Sequence, residues 1–156
     1  MPIEIRIANA ADIPAMLGVI NAAFAIETFL EGQRADAARI EEMMEKGKFF
    51  VVLDNGEIVA SIYVEPRGER SLLAMLAVHP KKQGSPLAFR LARAAEAHCR
   101  EQGCKFADIT VLSQRTELPP VYERFGYRLT GTKEFESTQQ LKDGVQCHTL
   151  LLTKEL

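Results

Sequence analysis

The sequence predicts an α/β domain in which helices cover both faces of one mixed sheet. Two observations lead to this fold class. Stretches with the period of a strand alternate with stretches of helical period, and the resulting order is β-α-α-β-β-β-α-β-α-β-β. A chain of 156 residues, 47% hydrophobic and 26% charged, also has the size and composition of one globular domain. We therefore expect residues 1–156 to form a single domain.

The first third of the chain is predicted to form a strand and two helices. Residues 3–7 alternate between isoleucine and mostly polar side chains, which is typical of a half-buried strand. Asn9 and Asp12 have the spacing of a helix capping box, and apolar residues follow at helical spacing over 13–24. A second helix is predicted over 35–46.

The centre of the chain is predicted to form a hairpin and a buried strand. Asn55-Gly56 is a strong turn signal, and it lies between strands predicted over 49–53 and 58–64. A third strand, over 71–78, shows no polar alternation, so we expect both of its faces to be covered. That pattern indicates a central position in the sheet.

The turn from this strand into a long helix, predicted over 86–102, carries the functional argument. It reads Gln83-Gly84-Ser85, and N–H groups at a helix start have no partner within the helix. Together with the positive end of the helix dipole, they favour a bound phosphate or pyrophosphate. An ordinary βα turn beside solvated lysines is the alternative reading.

The remaining chain is predicted to form a strand over 106–112, a short helix that begins at a proline pair, and strands over 127–136 and 146–153. The last of these is apolar over 149–152, which leaves a homodimer open.

Composition excludes several classes of function. Lys and Arg total 19 against 21 Asp and Glu, a formal net charge of -2, so the chain lacks the basic surface of a general nucleic-acid-binding protein. The longest apolar run, 72–78, is far shorter than the ~18 residues of a membrane span. No charged-then-apolar signal segment opens the chain. We therefore expect a cytoplasmic protein with neither nucleic acid nor membrane as a partner.

The cysteine and histidine positions argue against a disulfide framework and against a metal site. The three cysteines form no Cys-x-x-Cys pair, and we expect Cys99 and Cys104 to be small buried apolar groups. His79, His98 and His148 lack the short spacing of metal ligands, so no metal is expected.

Three segments resemble the GNAT superfamily of N-acetyltransferases. Residues Leu76 to Ala88 are similar to its central motif, a strand ending in hydrophobic-x-Val-x-Pro and then Gln/Arg-Gly-x-Gly-x-Gly/Ala. Residues Val121 to Tyr127 resemble its Tyr-x-x-x-Gly-Phe/Tyr segment, and residues 5–24 resemble its first strand and helix. The resemblance covers nearly the whole chain. It implies a mixed, mostly antiparallel sheet of six to seven strands with helices on both faces.

The resemblance also implies acetyl-CoA as a co-substrate. Its pyrophosphate would lie on the turn at 83–88 and its pantetheine arm along the strand at 76–78. The tyrosine that matches Tyr122 can protonate the leaving thiolate, and packing under the next strand is its alternative role. The residues expected to bind the co-substrate are Leu76, Ala77, Val78, Gln83, Gly84, Ser85, Pro86, Leu87, Ala88 and Tyr122.

The sequence departs from the family pattern at three positions. Pro86 stands where the family usually has its second glycine, so one backbone N–H is absent from the turn. Arg115 stands where many members have an asparagine that helps to hold the pantetheine. Some members place a glutamate base at the start of the fourth strand, where this chain has Ser71.

The acceptor side has several candidate residues. An acceptor ammonium must lose a proton before its lone pair can attack, and Glu65 is a candidate base, with a solvated surface carboxylate as the alternative. Glu27 could bind a cationic substrate, or it could be a plain surface charge. Phe24 and Phe29 could form an apolar wall of the acceptor site, or they could be core residues.

These observations predict an acetyltransferase that moves an acetyl group directly from acetyl-CoA to a primary amine of a small molecule or peptide. A non-catalytic acyl-CoA-binding sensor on the same scaffold is the alternative, because the family glutamate and asparagine are missing. An unrelated nucleotide-binding α/β domain is disfavoured, since the chain has neither a GxGxxG fingerprint nor a Walker lysine.

Overall fold

The computed structural model describes residues 3–156. Its strands are β1 (Ile3–Ile7), β2 (Lys48–Asp54), β3 (Glu57–Arg67), β4 (Arg70–Val78), β5 (Phe106–Leu112), β6 (Arg128–Glu134) and β7 (His148–Glu155). Its α-helices are α1 (Ile13–Phe24), α2 (Ala37–Lys46), α3 (Leu87–Glu101) and α4 (Leu118–Arg124). The predicted order of elements is confirmed.

Within the described residues, the strands form one seven-stranded sheet in the order β1-β2-β3-β4-β5-β7-β6. β4 and β5 pair in parallel and every other neighbouring pair is antiparallel, so the predicted mixed, mostly antiparallel sheet is confirmed. β4 is the fourth strand of the seven, which confirms its predicted central position.

Each face of the sheet carries its own hydrophobic core. On one face, α3 packs its buried side chains, among them Leu91 and Ala95, against strand residues such as Ile62. On the other face, α1 and α2 pack against residues such as Phe49 and Val51. Helices therefore cover both faces, as predicted. No helix in residues 3–156 combines the length and apolarity that crossing a membrane requires.

Local signals account for how several elements begin and turn. Asn9 and Asp12 form the predicted capping box, in a 3₁₀ turn that leads into α1. Asn55 and Gly56 both have positive φ, 52° and 79°, which is the geometry of a tight hairpin turn between β2 and β3. Cys99 and Cys104 are free and buried, as expected, and burial raises the pKa of Cys99 to about 11.

Two helices begin later than predicted, for a physical reason in each case. α2 starts at Ala37 because the Asp36 side chain accepts a hydrogen bond from the N–H of Arg39 and so acts as the N-cap. α3 starts at Leu87 because Pro86 is its N-cap residue, with ψ near 14°, rather than its first helical residue.

Candidate active site

The two central strands separate and open a cleft between them. β4 and β5 pair only from Arg70 to Leu73 and from Phe106 to Ile109. Beyond these residues β4 stays with β3, while β5 stays with β7 as far as Leu112. The separated ends of both strands line a cleft of about 920 Å³. Because β4 has no β5 partner there, its backbone is available to a ligand that lies along it in extended form.

A β-bulge in β4 lies at the point of separation. Tyr63 of β3 pairs with Ala74 and Ser61 pairs with Ala77, so β4 has one residue more than β3 in this interval. Met75 lies in the bulge with a φ of 51°, an uncommon conformation for a non-glycine residue. The extra residue reverses the alternation of faces: Leu73 packs in the α3 core, whereas Met75 and Ala77 pack in the opposite core.

The turn before α3 presents a group of backbone donors that have no partner. Gly84 has a φ of 87°, and a Cβ added there would meet no atom within 4 Å. None of the following N–H groups donates a hydrogen bond within residues 3–156: Gln83, Gly84, Ser85, Leu87, Ala88 and Phe89. A row of free N–H groups at a helix N-terminus is the usual seat of a phosphate group.

Side chains hold this turn in place from outside. The Gln83 amide donates to the carbonyl of Val78 at 3.1 Å, and the Ser85 hydroxyl donates to the carbonyl of Lys82 at 2.7 Å. Lys82 also forms a 2.8 Å ion pair with Asp54 of β2. The main-chain donors therefore stay free while polar side chains fix the conformation of the turn.

Tyr122 of α4 presents its hydroxyl to the cleft. Its ring is buried and packs edge-on against Phe125 and Tyr127. No group in the described part of the chain hydrogen-bonds its hydroxyl, and the residue lines the cleft. Burial raises the pKa of Tyr122 to about 12, and the positive charges of Arg115 and Arg34 oppose that rise. The phenol is therefore a neutral hydrogen donor at physiological pH.

Glu65 lines the cleft and is held as a carboxylate by two neighbours. Tyr63 donates its hydroxyl hydrogen bond to Oε1 at 2.7 Å, and Arg67 forms an ion pair with Oε2. Burial alone would raise the pKa of Glu65, but the bonds from Arg67 and Tyr63 outweigh burial and lower it. A carboxyl with a lowered pKa is a weak base, although it keeps its negative charge in the cleft.

Glu27 lies between two arginines in the wall of the cleft. Arg34 Nη1 binds its Oε1 at 3.1 Å, and Arg115 Nη1 binds its Oε2 at 2.8 Å. The Glu27 side chain is only 4% exposed. Arg115, at the position of the family asparagine, thus ties the α1–α2 loop to the loop before α4. Glu27 is buried and faces two guanidiniums, so this wall of the cleft does not favour a cationic substrate.

Most residues singled out from the sequence meet at this cleft, and four do not. Lining it are Leu76, Val78, Gln83, Gly84, Ser85, Ala88, Tyr122, Glu65, Phe24 and Glu27. Ala77 is buried in the core under α1 instead, because the bulge turns it away. Pro86, Leu87 and Phe29 are not among the lining residues; Leu87 packs under α3. The sequence analysis assigned no role to Arg34, because nothing in the polar stretch around it distinguishes an arginine of a functional site from a solvated one.

Comparisons with solved structures show the fold. Ribosomal-protein-alanine N-acetyltransferase from Brucella melitensis superposes with a TM-score of 0.80 at 20% identity, over 98% of this chain and 99% of that one. A GNAT family acetyltransferase from Elizabethkingia anophelis with acetyl-CoA bound gives 0.76 at 20% identity, over 99% and 98%. An acetyltransferase from Salmonella typhimurium with its cofactor acetyl-CoA gives 0.79 at 18% identity, over 100% and 95%.

Sequence comparison identifies the family. No curated protein sequence matches this chain. The family model described as an acetyltransferase (GNAT) domain matches residues 17–144, a span that includes the parted strands, the turn before α3 and Tyr122. The chain therefore belongs to the GNAT acetyltransferase family.

Proposed function

We propose that this protein moves an acetyl group directly from acetyl-CoA to a primary amine, and that residues 1–156 act as one acetyltransferase domain. The observation that carries the proposal is that the turn before α3 and the unpaired part of β4 line one cleft. The turn residues whose N–H groups have no partner within the described residues and that line the cleft are Gln83, Gly84, Ser85 and Ala88. The part of β4 that β5 does not pair with, and Tyr122, line the same cleft.

The chain's own groups fit each part of acetyl-CoA. The N–H groups at the start of α3 would bind the pyrophosphate, and the open space at Gly84 lets a phosphate approach the main chain. The backbone of β4 over 76–78 would bind the extended pantetheine arm, since it has no partner strand on that side. Pro86 has no N–H, so residues 83–89 offer six backbone donors to the pyrophosphate instead of seven.

Tyr122 is assigned as the donor to the leaving sulfur. Its hydroxyl is protonated and faces the cleft, so it can hydrogen-bond to the sulfur and deliver its proton as negative charge develops there. The positive charges of Arg115 and Arg34 favour the phenolate that remains, and the charge of Glu27 opposes them in part. Within the described residues, no cysteine lines the cleft and neither lining serine, Ser85 or Ser137, is hydrogen-bonded to a basic side chain, which favours direct transfer over a covalent intermediate.

Glu65 is assigned to the acceptor rather than to proton removal. Its lowered pKa makes it a weak base, but its charge attracts the ammonium form of an amine into the cleft. The proton then leaves through water, and the neutral amine attacks the thioester carbonyl held beside it.

Thiol release separates this enzyme from a non-catalytic acyl-CoA sensor. Acetyl-CoA is mixed with the protein and with a panel of amines, amino acids and peptides, and free thiol is followed over time. Release that depends on the amine and yields the N-acetyl product is expected. Tight binding of CoA by calorimetry without acetyl transfer to any amine would favour the sensor.

A further inference from the structure

The Glu27, Arg34 and Arg115 cluster has more positive charge than its buried partner balances. Two guanidiniums share one carboxylate, and their side chains are 22% and 13% exposed. Arg115 Nε also binds Glu117 at 3.0 Å, but the Glu117 side chain is 53% exposed and solvent screens its charge. A partly buried arginine without a full complement of anions is costly, so this wall of the cleft favours an added anion.

Both guanidiniums keep hydrogen-bond donors for such an anion. Each has five N–H bonds. Within residues 3–156, Arg34 uses only Nη1, and Arg115 uses Nη1 and Nε. None of their remaining nitrogens is sealed from solvent without a partner, and both residues line the cleft. The Phe24 ring lies 4.4 Å from Arg34 Cζ and covers one face of that guanidinium, which fixes its plane.

Arg39, Arg67 and Lys46 also line the cleft. Arg67 is paired with Glu65, and Arg39 lies 3.5 Å from Glu42. Arg34 and Arg115 differ from these cations in burial, since their side chains are 22% and 13% exposed, against 38% for Arg39 and 58% for Arg67, and Lys46 is exposed. Solvent therefore screens the charges of Arg34 and Arg115 least, and both act on Tyr122. An acceptor held there would lie in the same cleft as Tyr122, which is assigned to the leaving sulfur.

Two loops close this end of the cleft. The α1–α2 loop supplies Arg34, and the β6–β7 loop supplies residues 136–138. Their main chains are joined, with the N–H of Glu31 donating to the carbonyl of Gln140 at 2.8 Å and the N–H of Lys142 donating to the carbonyl of Phe29 at 3.0 Å. A continuous wall of this kind favours a small molecule over a peptide that must run past the site.

We propose that the acceptor is a small molecule that carries a carboxylate as well as its amine, and that Arg34 and Arg115 bind that carboxylate. Arginine binds carboxylates through charge-assisted hydrogen bonds, and Glu27 shows that one carboxylate can be shared by these two guanidiniums, each donating through one nitrogen. Glu65, which lines the same cleft, would attract the ammonium. This inference rests on the proposed acetyltransferase function.

The test compares amino acids with their matched carboxamides as acceptors in the thiol-release assay. The measured quantity is the acid-to-amide ratio, which is kcat/KM for the amino acid divided by kcat/KM for its carboxamide. The α-amino acids and the ω-amino acids are tested as two separate sets. In the wild type, at least one acid is expected to be preferred over its amide. In Arg34→Gln the ratio is expected to fall by about tenfold or more, because one charge-assisted contact is lost.

Glu27→Gln is the second variant, and it acts in the opposite direction. It removes the internal carboxylate that competes for both guanidiniums, so the acid-to-amide ratio is expected to rise. If the cluster only holds the two loops together, each substitution would change kcat/KM for acids and kcat/KM for amides by the same factor. That result overturns the proposal, as does a wild type that uses amides as well as acids.

One measurement needs no variant. Butyrate is expected to inhibit the wild type competitively against the amine acceptor, whereas butyramide at the same concentration is not. Equal inhibition by both, or by neither, counts against the carboxylate site. Acetyl transfer itself would still be seen in each of these outcomes. Failure of the proposed function is a different result, in which the protein neither binds CoA nor acetylates any amine.

Discussion

The hydroxyl of Tyr127 donates a 2.8 Å hydrogen bond to Oε2 of Glu96, whose side chain is fully buried on α3. Lys154 of β7 binds the other carboxylate oxygen at 2.9 Å and also donates to the carbonyl of Phe125. Since Tyr127 lies three residues after the end of α4, this network holds the helix that carries Tyr122 against the helix whose start forms the proposed phosphate seat.

Glu96→Gln is expected to lower the free energy of unfolding by about 3 kcal/mol, because it leaves the mostly buried Lys154 charge without its anion. Urea unfolding measures the change. Glu101→Gln, at the exposed end of the same helix, is the matched control and should alter stability by no more than about 0.5 kcal/mol. Equal losses in the two variants would mean that the pair contributes nothing beyond a surface contact.

Gly84→Glu is expected to weaken CoA binding by about 100-fold or more, because it places bulk and negative charge beside the free N–H groups. Gly103→Glu is a close control: Gly103 also has a φ of 87° and open space around it, but it follows the opposite end of α3. Both variants carry the same backbone strain. Calorimetry should therefore show lost affinity only for Gly84→Glu; a similar loss in the control would contradict the assigned seat.

Tyr122→Phe is expected to lower kcat by about 100-fold while changing CoA affinity by less than about threefold, because the hydroxyl acts on the leaving sulfur and not on the pyrophosphate. Since burial raises the pKa of Tyr122 to about 12, the wild type should show no loss of kcat from phenol ionisation below about pH 10. Equal losses of kcat and affinity would remove the assigned donor role.

Glu65→Gln is expected to raise KM for the amine with a smaller effect on kcat, because the carboxylate attracts the acceptor rather than removing its proton. Glu69→Gln, on an exposed carboxylate near the same hairpin turn, should leave both constants unchanged. If Glu65→Gln instead lowers kcat and abolishes the acidic limb of its pH profile, Glu65 is the general base after all.

Asp108 predicts a pH dependence of stability. Burial alone would raise its pKa, but hydrogen bonds from Arg70 and Thr153 outweigh burial, so the pKa of the folded state lies below the unfolded value near 3.9. A lowered folded pKa stabilises the protein above the unfolded pKa, and this stabilisation is lost as pH falls through the folded pKa. The stability difference between wild type and Asp108→Asn should therefore be constant above about pH 5 and shrink as the pH falls below about 4, through the folded pKa. A difference that stays constant below about pH 4 would contradict this.

Much of the fold was predictable because it depends on local patterns. The capping pair Asn9 and Asp12, the Asn55-Gly56 turn and the apolar strand before Gly84 each act through neighbouring residues, and each occurs where expected. The cleft face of β4 was predicted only in part. Alternation along a strand assumes two residues per repeat, and the single extra residue at the bulge turns Ala77 to the opposite core.

Pairing over long sequence separations was not predictable. Glu27 was considered as a free charge, yet Arg115, 88 residues further along the chain, neutralises it together with Arg34. Glu96 lies on the buried face of α3, beside Ala92 and Ala95, and only Tyr127 and Lys154 explain how a carboxylate is accommodated there. A sequence pattern shows that a residue is polar, but it does not show which distant residue forms its hydrogen bond or ion pair.

The sequence by itself determined the order of strands and helices, the central strand, and the glycine turn that offers free main-chain donors, because backbone periodicity and φ preferences are local properties. The tertiary structure alone decided the chemistry of the acceptor wall. Only after β4 and β5 part, and two loops join across the cleft, do Arg34, Arg115 and Glu27 come close enough for their charges to act on Tyr122. Coulomb energies depend on distance and burial, and the folded chain fixes both.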